Sequence, residues 1–283
     1  MIDLHVHSIY SDGEYEPLKI LELCNEREIS TISITDHNSM EGSKFAISHN
    51  PYPNIKVISG VELSAKYPIK GGNLHILGYG IDLENEELNQ VTEAIMADNI
   101  RRLDSLVYLL KKHYNLSFKE QDLERIYEAV GDIGRPDIAR LCVKYGYTNT
   151  VAEAFERYFN PIHDMVAKHK VELTAKECIE YIQRAGGISC LAHPIELKKD
   201  TEELKKFILE LMSYGLSAVE VYQSKHSAQY SKQLLKIVDE YGLLYSVGSD
   251  YHGPVTSPKF EMGYGQNNNL NMQTATILSK VLR

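Results

Sequence analysis

Apolar positions along the chain fall into two periods. Short blocks of strand character read as Ile2 to His7, Ile29 to Thr35, Lys56 to Leu63, Asn73 to Tyr79, Gly187 to Ala192, Ala218 to Tyr222 and Leu243 to Gly248. Between them, Pro17 to Arg27, Thr174 to Ala185, Glu202 to Tyr214 and Ser227 to Tyr241 carry apolar residues at helical spacing, with Gly or polar punctuation at their ends. Repeated strand-helix alternation predicts an α/β fold with a mostly parallel sheet. Seven or so short strands favour a closed or distorted β/α barrel over an open sheet.

The alternation stops between about Asp98 and Lys168, where only helical patterns occur. A long helix continues through Leu103, Leu106, Val107 and Leu110, followed by Phe118 to Val130, Pro136 to Tyr145 and Thr150 to Phe159. This stretch reads as a small all-helical domain inserted in a barrel loop. The expected organisation is therefore a first barrel part over residues 1–98, a helical insertion over 99–168, and a second barrel part over 169–283 with a polar, turn-like tail and a short C-terminal helix.

Composition agrees with a globular protein: 283 residues, 43% hydrophobic and 24% charged. The formal charge of −9 disfavours a surface that coats duplex DNA, which needs clustered Lys and Arg. It is compatible with a small phosphorylated substrate, because bound cations invert local charge. Cys24, Cys142, Cys178 and Cys190 lie far apart among apolar residues and read as buried thiols of a reducing compartment. With no leader pattern and no apolar run of membrane-spanning length, a cytoplasmic protein without membrane contact is expected. The 11 histidines carry more information.

His5-Val6-His7 ends the first strand, and strand alternation puts both imidazoles on one face. Asp12 follows in the turn Tyr10-Ser11-Asp12-Gly13. Thr35-Asp36-His37 ends the second strand, Gly60-Val61-Glu62-Leu63 the third, and His75 lies on the fourth. Leu191-Ala192-His193-Pro194 and Gly248-Ser249-Asp250-Tyr251-His252-Gly253 end later strands. A lone His beside a strand is ordinarily a hydrogen-bonded structural residue, and short motifs recur by chance. Nine such groups placed at the carboxyl ends of strands converge on one barrel mouth, where active sites are built. Desolvating them together is unfavourable unless cations compensate, and an imidazole-carboxylate set suits Zn, Mn or Fe.

As an ordered set, these motifs resemble the PHP (polymerase and histidinol phosphatase) family of metal-dependent phosphoesterases. The resemblance spans His5 to His252, interrupted by the helical insertion. It implies a distorted seven-stranded β/α (TIM-like) barrel and a trinuclear centre that generates a metal-activated hydroxide. By motif, His5, His7, Glu62 and Asp250 would hold one ion, Glu62 with His75 and His193 a second, and Asp12, His37 and His252 the third. Asp250 and His193 would also transfer protons.

The insertion, and Gly134-Arg135-Pro136 opening a helix within it, resemble the stand-alone subgroup acting on nucleotides: 3′,5′-nucleoside bisphosphate phosphatases and 5′-3′ exoribonucleases. The implied partner is a nucleotide or a short RNA 5′ end, with the insertion as a lid over it. Arg135 resembles a phosphate-binding arginine that neutralises phosphoryl charge, since a guanidinium offers paired hydrogen bonds. Arg101, Arg102 and Lys168 could add charge from the same lid, and His226 resembles a rim residue that touches substrate. Asp36 and Glu220 are expected to orient imidazoles. His49, His113, His163 and His169 read as surface or structural residues. The segment Tyr158 to Asp164, with Met165, departs from the Gly-rich turn and following Pro and Tyr of nucleotide-type relatives. Histidinol-phosphate phosphatase, with the same metal motifs, is the alternative activity, and a non-catalytic metal-binding module the alternative class. Metal identity and oligomeric state are not written in these motifs.

Overall fold

β1 (Ile2–Val6), β2 (Thr31–Ile34) and β3 (Lys56–Ile58) make a parallel sheet in that order, and β4 (Gly60–Ala65), β5 (Leu74–Tyr79), β6 (Ile188–Leu191), β7 (Ala218–Gln223) and β8 (Leu244–Gly248) make a second. The computed structural model describes residues 1–69, 72–127 and 133–282. Buried aliphatic residues fill these strands: Leu4, Ile32, Val61, Ile76, Leu191 and Val219 are fully enclosed. β7 pairs in parallel with β6 and β8, whereas β5 is antiparallel to both β4 and β6.

The expected single seven-stranded barrel is therefore corrected to eight strands in two sheets, with no closed ladder among the described residues. The run Lys56 to Leu63 is not one strand: it breaks at Ser59 and contributes β3 to one sheet and β4 to the other. The sheets meet at two seams made of isolated bridges. At one, Val6 bridges Tyr251, Asp250 N–H donates to His5 O (2.8 Å) and His7 N–H to Tyr251 O (3.0 Å). At the other, His37 bridges Glu62 and Asn38 N–H donates to Glu62 O (2.8 Å). Asn38 (φ 49°) and Asp250 (φ 57°) turn into the left-handed region beside these seams, so neither ladder continues. Both seams run through candidate metal ligands.

Helices cover the sheets: α1 (Pro17–Glu26), α2 (Glu41–His49), the first half of α3 (Glu86–Tyr114), α7 (Ala175–Arg184), α8 (Thr201–Ser213) and α9 (Ala228–Tyr241). Capping boxes start two of them, Thr174 with Glu177 on α7 and Asp200 with Glu203 on α8. Periodicity did not predict α2, which buries Gly42, Ser43 and Ala46 rather than large apolar side chains. α10 (Leu278–Val281) is the short C-terminal helix.

Residues of the helical stretch gather round their own apolar cluster. Leu103, Leu106 and Leu110 of α3 meet Ile138 and Cys142 of α5 (Arg135–Lys144) and Phe159, whereas Leu88 and Ile95 near the start of α3 pack with Ile179 and Ile182 of α7. α4 (Glu120–Tyr127) and α6 (Val151–Ala154) complete the group, α6 passing into a π-turn (Phe155–Phe159) and a 3₁₀ turn (Asn160–Met165). The sequence run to Val130 ends at residues 128–130, outside the described ones. Entry and exit of the stretch are clasped by buried Asp98, which accepts from Arg101 (2.7 Å) and Lys170 N–H (3.1 Å) and faces His169 Nδ1 (3.0 Å). The four cysteines are buried and free. Among the described residues, no helix is long and apolar enough to cross a membrane.

Candidate metal centre

Glu62 is the hub of the mouth. Its carboxylate is fully buried, with His193 Nε2 at 2.9 Å, His75 Nδ1 at 3.0 Å, His5 Nε2 and His37 Nδ1 at 3.1 Å, and His7 Nε2 at 3.2 Å. Asp250 Oδ1 lies 3.4 Å from His7 and 3.6 Å from His5, and Asp12 Oδ1 lies 3.2 Å from His252 Nε2. All nine residues named from the motifs thus come together.

Their donor atoms converge in four overlapping groups: His7, Asp12, His37 and His252; His5, His7 and Asp250; His5, Glu62 and His193; His37, Glu62 and His75. The motif-based set of Glu62, His75 and His193 comes together, with His75 Nδ1 3.2 Å from His193 Nε2 and both facing Glu62 Oε1, while the groups also place His75 beside His37 and His193 beside His5. Glu62 is shared by both. Two positions also depart from the strand-end expectation. β5 runs against its neighbours, so His75 stands at its start, and Glu62 sits inside β4. Reversal of β5 is what delivers His75 to the mouth.

These side chains fit a cation. His7 Nε2 and His37 Nδ1 are buried without a hydrogen bond despite carboxylate oxygens at 3.1–3.4 Å, and His193 Nδ1 is likewise unpaired. Nitrogens that approach carboxylates without aligning with them point toward a shared centre. Two candidate ligand residues are backbone-strained, His193 at φ 23° and Asp250 at φ 57°, each an expense of about 1–3 kcal/mol usually found where function requires it. Burial alone would raise the Glu62 and Asp250 carboxyls, yet the surrounding imidazoles hold both well below the usual range. Burial lowers His7 and His37 alike; the nearby carboxylates of Asp250 and Glu62 push His7 up to about 10, whereas burial prevails at His37, which falls to about 3 between His7 and His75. The rings cannot all be charged together, so neutral imidazoles remain available as ligands.

A second layer fixes the donors. Glu220 Oε1 lies 2.9 Å from His5 Nδ1 and Oε2 accepts His193 N–H at 2.7 Å, the orienting role expected of it. Gln223 Nε2 donates to Asp250 Oδ2 (3.1 Å). Asp36 behaves otherwise than expected: it accepts from Ser8 N–H, Ser8 Oγ and Ser11 Oγ, each at 2.7 Å, and so holds the loop to Asp12 rather than an imidazole. The sequence reading missed Asp3, which is buried and accepts from Ser249 N–H (2.8 Å) and Gly263 N–H (2.7 Å). Its signal was available, since Asp3 and His5 share one face of β1 and His7 follows just beyond its end in the same alternation.

The candidate substrate residues separate. Arg102 and Arg135 line a cavity of about 310 Å³ between Asn38 and Ser64 at the mouth and Asn99 and His169 near the insertion. None of the nine candidate ligands lines that cavity. Asn38, the neighbour of His37, connects it to the mouth. Arg102 also donates to Ala167 O (3.2 Å), and Arg135 stacks over Phe155, 5.4 Å from the ring centroid, with His163 Nδ1 at 3.4 Å. Arg101 is committed to Asp98 and the Lys168 carbonyl, and exposed Lys168 does not line this cavity. His226 is not at the rim: it is buried, its Nδ1 bonded to Val221 O (2.9 Å) and its Nε2 unpaired. A second cavity, of about 360 Å³, opens on Asp12, Asp250 and His252 and is also lined by Lys225, Lys259 and Phe260. Lys225 was not singled out from the sequence. Among the other histidines, His49 stacks on Phe45, His113 and His163 are exposed, and His169 joins the Asp98 clasp.

Comparison with known proteins accords with this geometry. The chain is 25% identical to a 5′-3′ exoribonuclease of Haemophilus influenzae, over 89% of this chain and 90% of that protein. It is 26% identical to a 3′,5′-nucleoside bisphosphate phosphatase of Chromobacterium violaceum, over 89% and 87%. A phosphoribosyl 1,2-cyclic phosphate 1,2-diphosphodiesterase of Eggerthella lenta is also 26% identical, over 89% and 94%. In fold, the chain resembles a crystal structure from Bifidobacterium adolescentis with a TM-score of 0.75 at 23% identity, covering 99% of this chain and 94% of that one. The PHP domain profile matches residues 3–278, nearly end to end, and the chain belongs to the PHP domain family.

Proposed function

We propose that this PHP protein hydrolyses phosphate monoesters of nucleotides, 3′,5′-bisphosphonucleotides and AMP-like esters among them, and releases nucleotides from short 5′-phosphorylated oligoribonucleotides. Family membership and the phosphatase among its relatives make the chain a metal-dependent hydrolase of phosphoric esters. The finer reading places three divalent ions, Mn, Fe or Zn, on His5, His7, Glu62 and Asp250; on Glu62, His75 and His193; and on Asp12, His37 and His252. Such ions, when bound, supply Lewis-acid charge and acidify water. Three ions against the carboxylates of Asp12, Glu62 and Asp250 leave about +3 locally, which draws a phosphate to the mouth of an acidic protein.

The observation that carries the nucleotide reading is the convergence of Arg102 and Arg135 in a cavity beside the cluster. Its volume, about 310 Å³, lies at the lower end of small-ligand sites, roughly 300–1,000 Å³. Because this cavity contains none of the nine candidate ligands, Arg135, expected from the sequence to act catalytically by neutralising the reacting phosphoryl group, is assigned instead to a phosphate remote from it, with Arg102 beside it. The stretch 99–168 is the lid that carries both arginines over the mouth. Asp250 and His193, facing the cluster, are the proposed proton carriers, and His193 Nδ1, without a hydrogen bond and 3.7 Å from Glu196 Oε2, is placed to hold one.

Arg102→Ala and Arg135→Ala should each raise KM for a 3′,5′-bisphosphonucleotide by about 10-fold or more, the loss of a charge-assisted hydrogen bond. Turnover of p-nitrophenyl phosphate, which has no second phosphate, should change little. Equal losses on both substrates, measured by phosphate release, would contradict the remote-phosphate assignment.

A further inference from the structure

Lys225 lies in the polar turn after β7, and its side chain, 41% exposed, lines the cavity that opens on Asp12, Asp250 and His252. Its ammonium pairs with Glu196 Oε1, stands 3.9 Å from Asp250 Oδ2 and lies 6.0 Å from the centre of the Phe260 ring. Glu196 in turn accepts from Asn73 Nδ2 (3.2 Å) and lies 3.7 Å from His193 Nδ1. The loop is not free to swing: Asn269 Nδ2 donates to the carbonyls of Gln223 (3.1 Å), Ser224 (3.0 Å) and His226 (3.0 Å), and Lys225 N–H donates to Gln223 Oε1 (2.6 Å).

A fixed ammonium at this place requires explanation. Where Asp250 is committed to a cation, its charge is already compensated, and a lysine next to the centre is repelled by it. Glu196 compensates the lysine on one side only. On the cavity side, where Asp12 and Asp250 are likewise committed to cations, Lys225 and Lys259 are the charges left uncompensated. An anion between the ammonium and the centre resolves the repulsion on both sides.

We propose that Lys225 is a substrate-binding residue that contacts a non-bridging oxygen of the reacting phosphate from the Phe260 side of the mouth, opposite in role to the remote-phosphate arginines. This rests on the phosphoesterase reading but not on the nucleotide. Glu196 and Asn269 are positioning residues that hold the ammonium at the rim.

The test uses the full chain reconstituted with Mn, inorganic phosphate as the binding probe in calorimetry, and p-nitrophenyl phosphate for turnover. Lys225→Met should weaken phosphate binding and raise KM by about 10-fold or more, with metal content and thermal midpoint unchanged. Lys225→Arg should recover most of the loss. If Lys225 merely neutralises Glu196, the double variant Lys225→Met with Glu196→Gln would return to wild-type binding; the proposal requires it to stay impaired. Wild-type phosphate affinity in Lys225→Met, or a loss that tracks lost metal, overturns the assignment of Lys225 and leaves the phosphoesterase reading standing. A wild-type protein that neither binds phosphate nor turns over the ester overturns both.

Discussion

Glu62→Gln is expected to lose phosphate-ester hydrolysis by a factor well above 100 and to lose bound metal in parallel. Even residues that only orient ligands are worth about 10–100-fold in metal affinity or activity, and Glu62 stands nearer than any of those. Its carboxylate contacts five imidazoles between 2.9 and 3.2 Å, all in one buried pocket. The amide is nearly isosteric, so packing survives, but it brings N–H groups where a shared anion stood. Metal analysis of the purified variant, beside its circular dichroism, separates the two effects: folded protein with depleted metal is the expected outcome. Full metal content with near-normal turnover would remove Glu62 from the centre of the account.

Gly248→Ala should have the second largest effect, this time on the frame. A Cβ on Gly248 would fall 2.1 Å from His5 Cβ, 2.8 Å from His5 N and 2.9 Å from Glu220 Oε1. None of these can yield cheaply, because His5 belongs to β1 and Glu220 already holds both His5 and His193. The close approach of β8 to β1 is what seats His5 at the seam. Overpacking of this kind costs about 1–3 kcal/mol, roughly 2–10 °C in Tm for a chain of this size. Displacing His5 by a fraction of an ångström should also lower kcat/KM by up to about 100-fold. A thermal scan showing an unshifted Tm together with wild-type turnover would mean the two strands separate without consequence.

How far these features could be read beforehand depends on what each signal encodes. The nine candidate ligands were legible because His and acidic residues close several short apolar runs, and runs of that kind rarely end so. Glu220 was legible as a charged residue inside a buried strand. Strand direction was not: alternation has no sign, so the reversal of β5 and the arrival of His75 from its start were invisible. The break at Ser59 was hidden because both halves of Lys56 to Leu63 are apolar enough to pass as one strand. α2 was missed because its buried face is built from Gly42, Ser43 and Ala46. Arg101 was credited with phosphate because a guanidinium's partner, here Asp98 and a carbonyl 67 residues away, cannot be seen along the chain. Lys225 was overlooked for the converse reason. It sits in an ordinary polar turn and gains meaning only from Glu196 and Asp250, which other strand ends supply.

The central claim is that the His, Asp and Glu cluster turns over phosphate esters of nucleotides only with metal. It is tested most directly by stripping the purified protein with a chelator, adding Mn, Fe or Zn back singly, and following phosphate release from a 3′,5′-bisphosphonucleotide beside histidinol phosphate and a short 5′-phosphorylated RNA. The expected outcome is no release from the stripped protein, restoration by at least one metal, and preference for the bisphosphonucleotide or the RNA over histidinol phosphate. Release that persists after complete metal depletion, or restored protein that hydrolyses only histidinol phosphate, would contradict it.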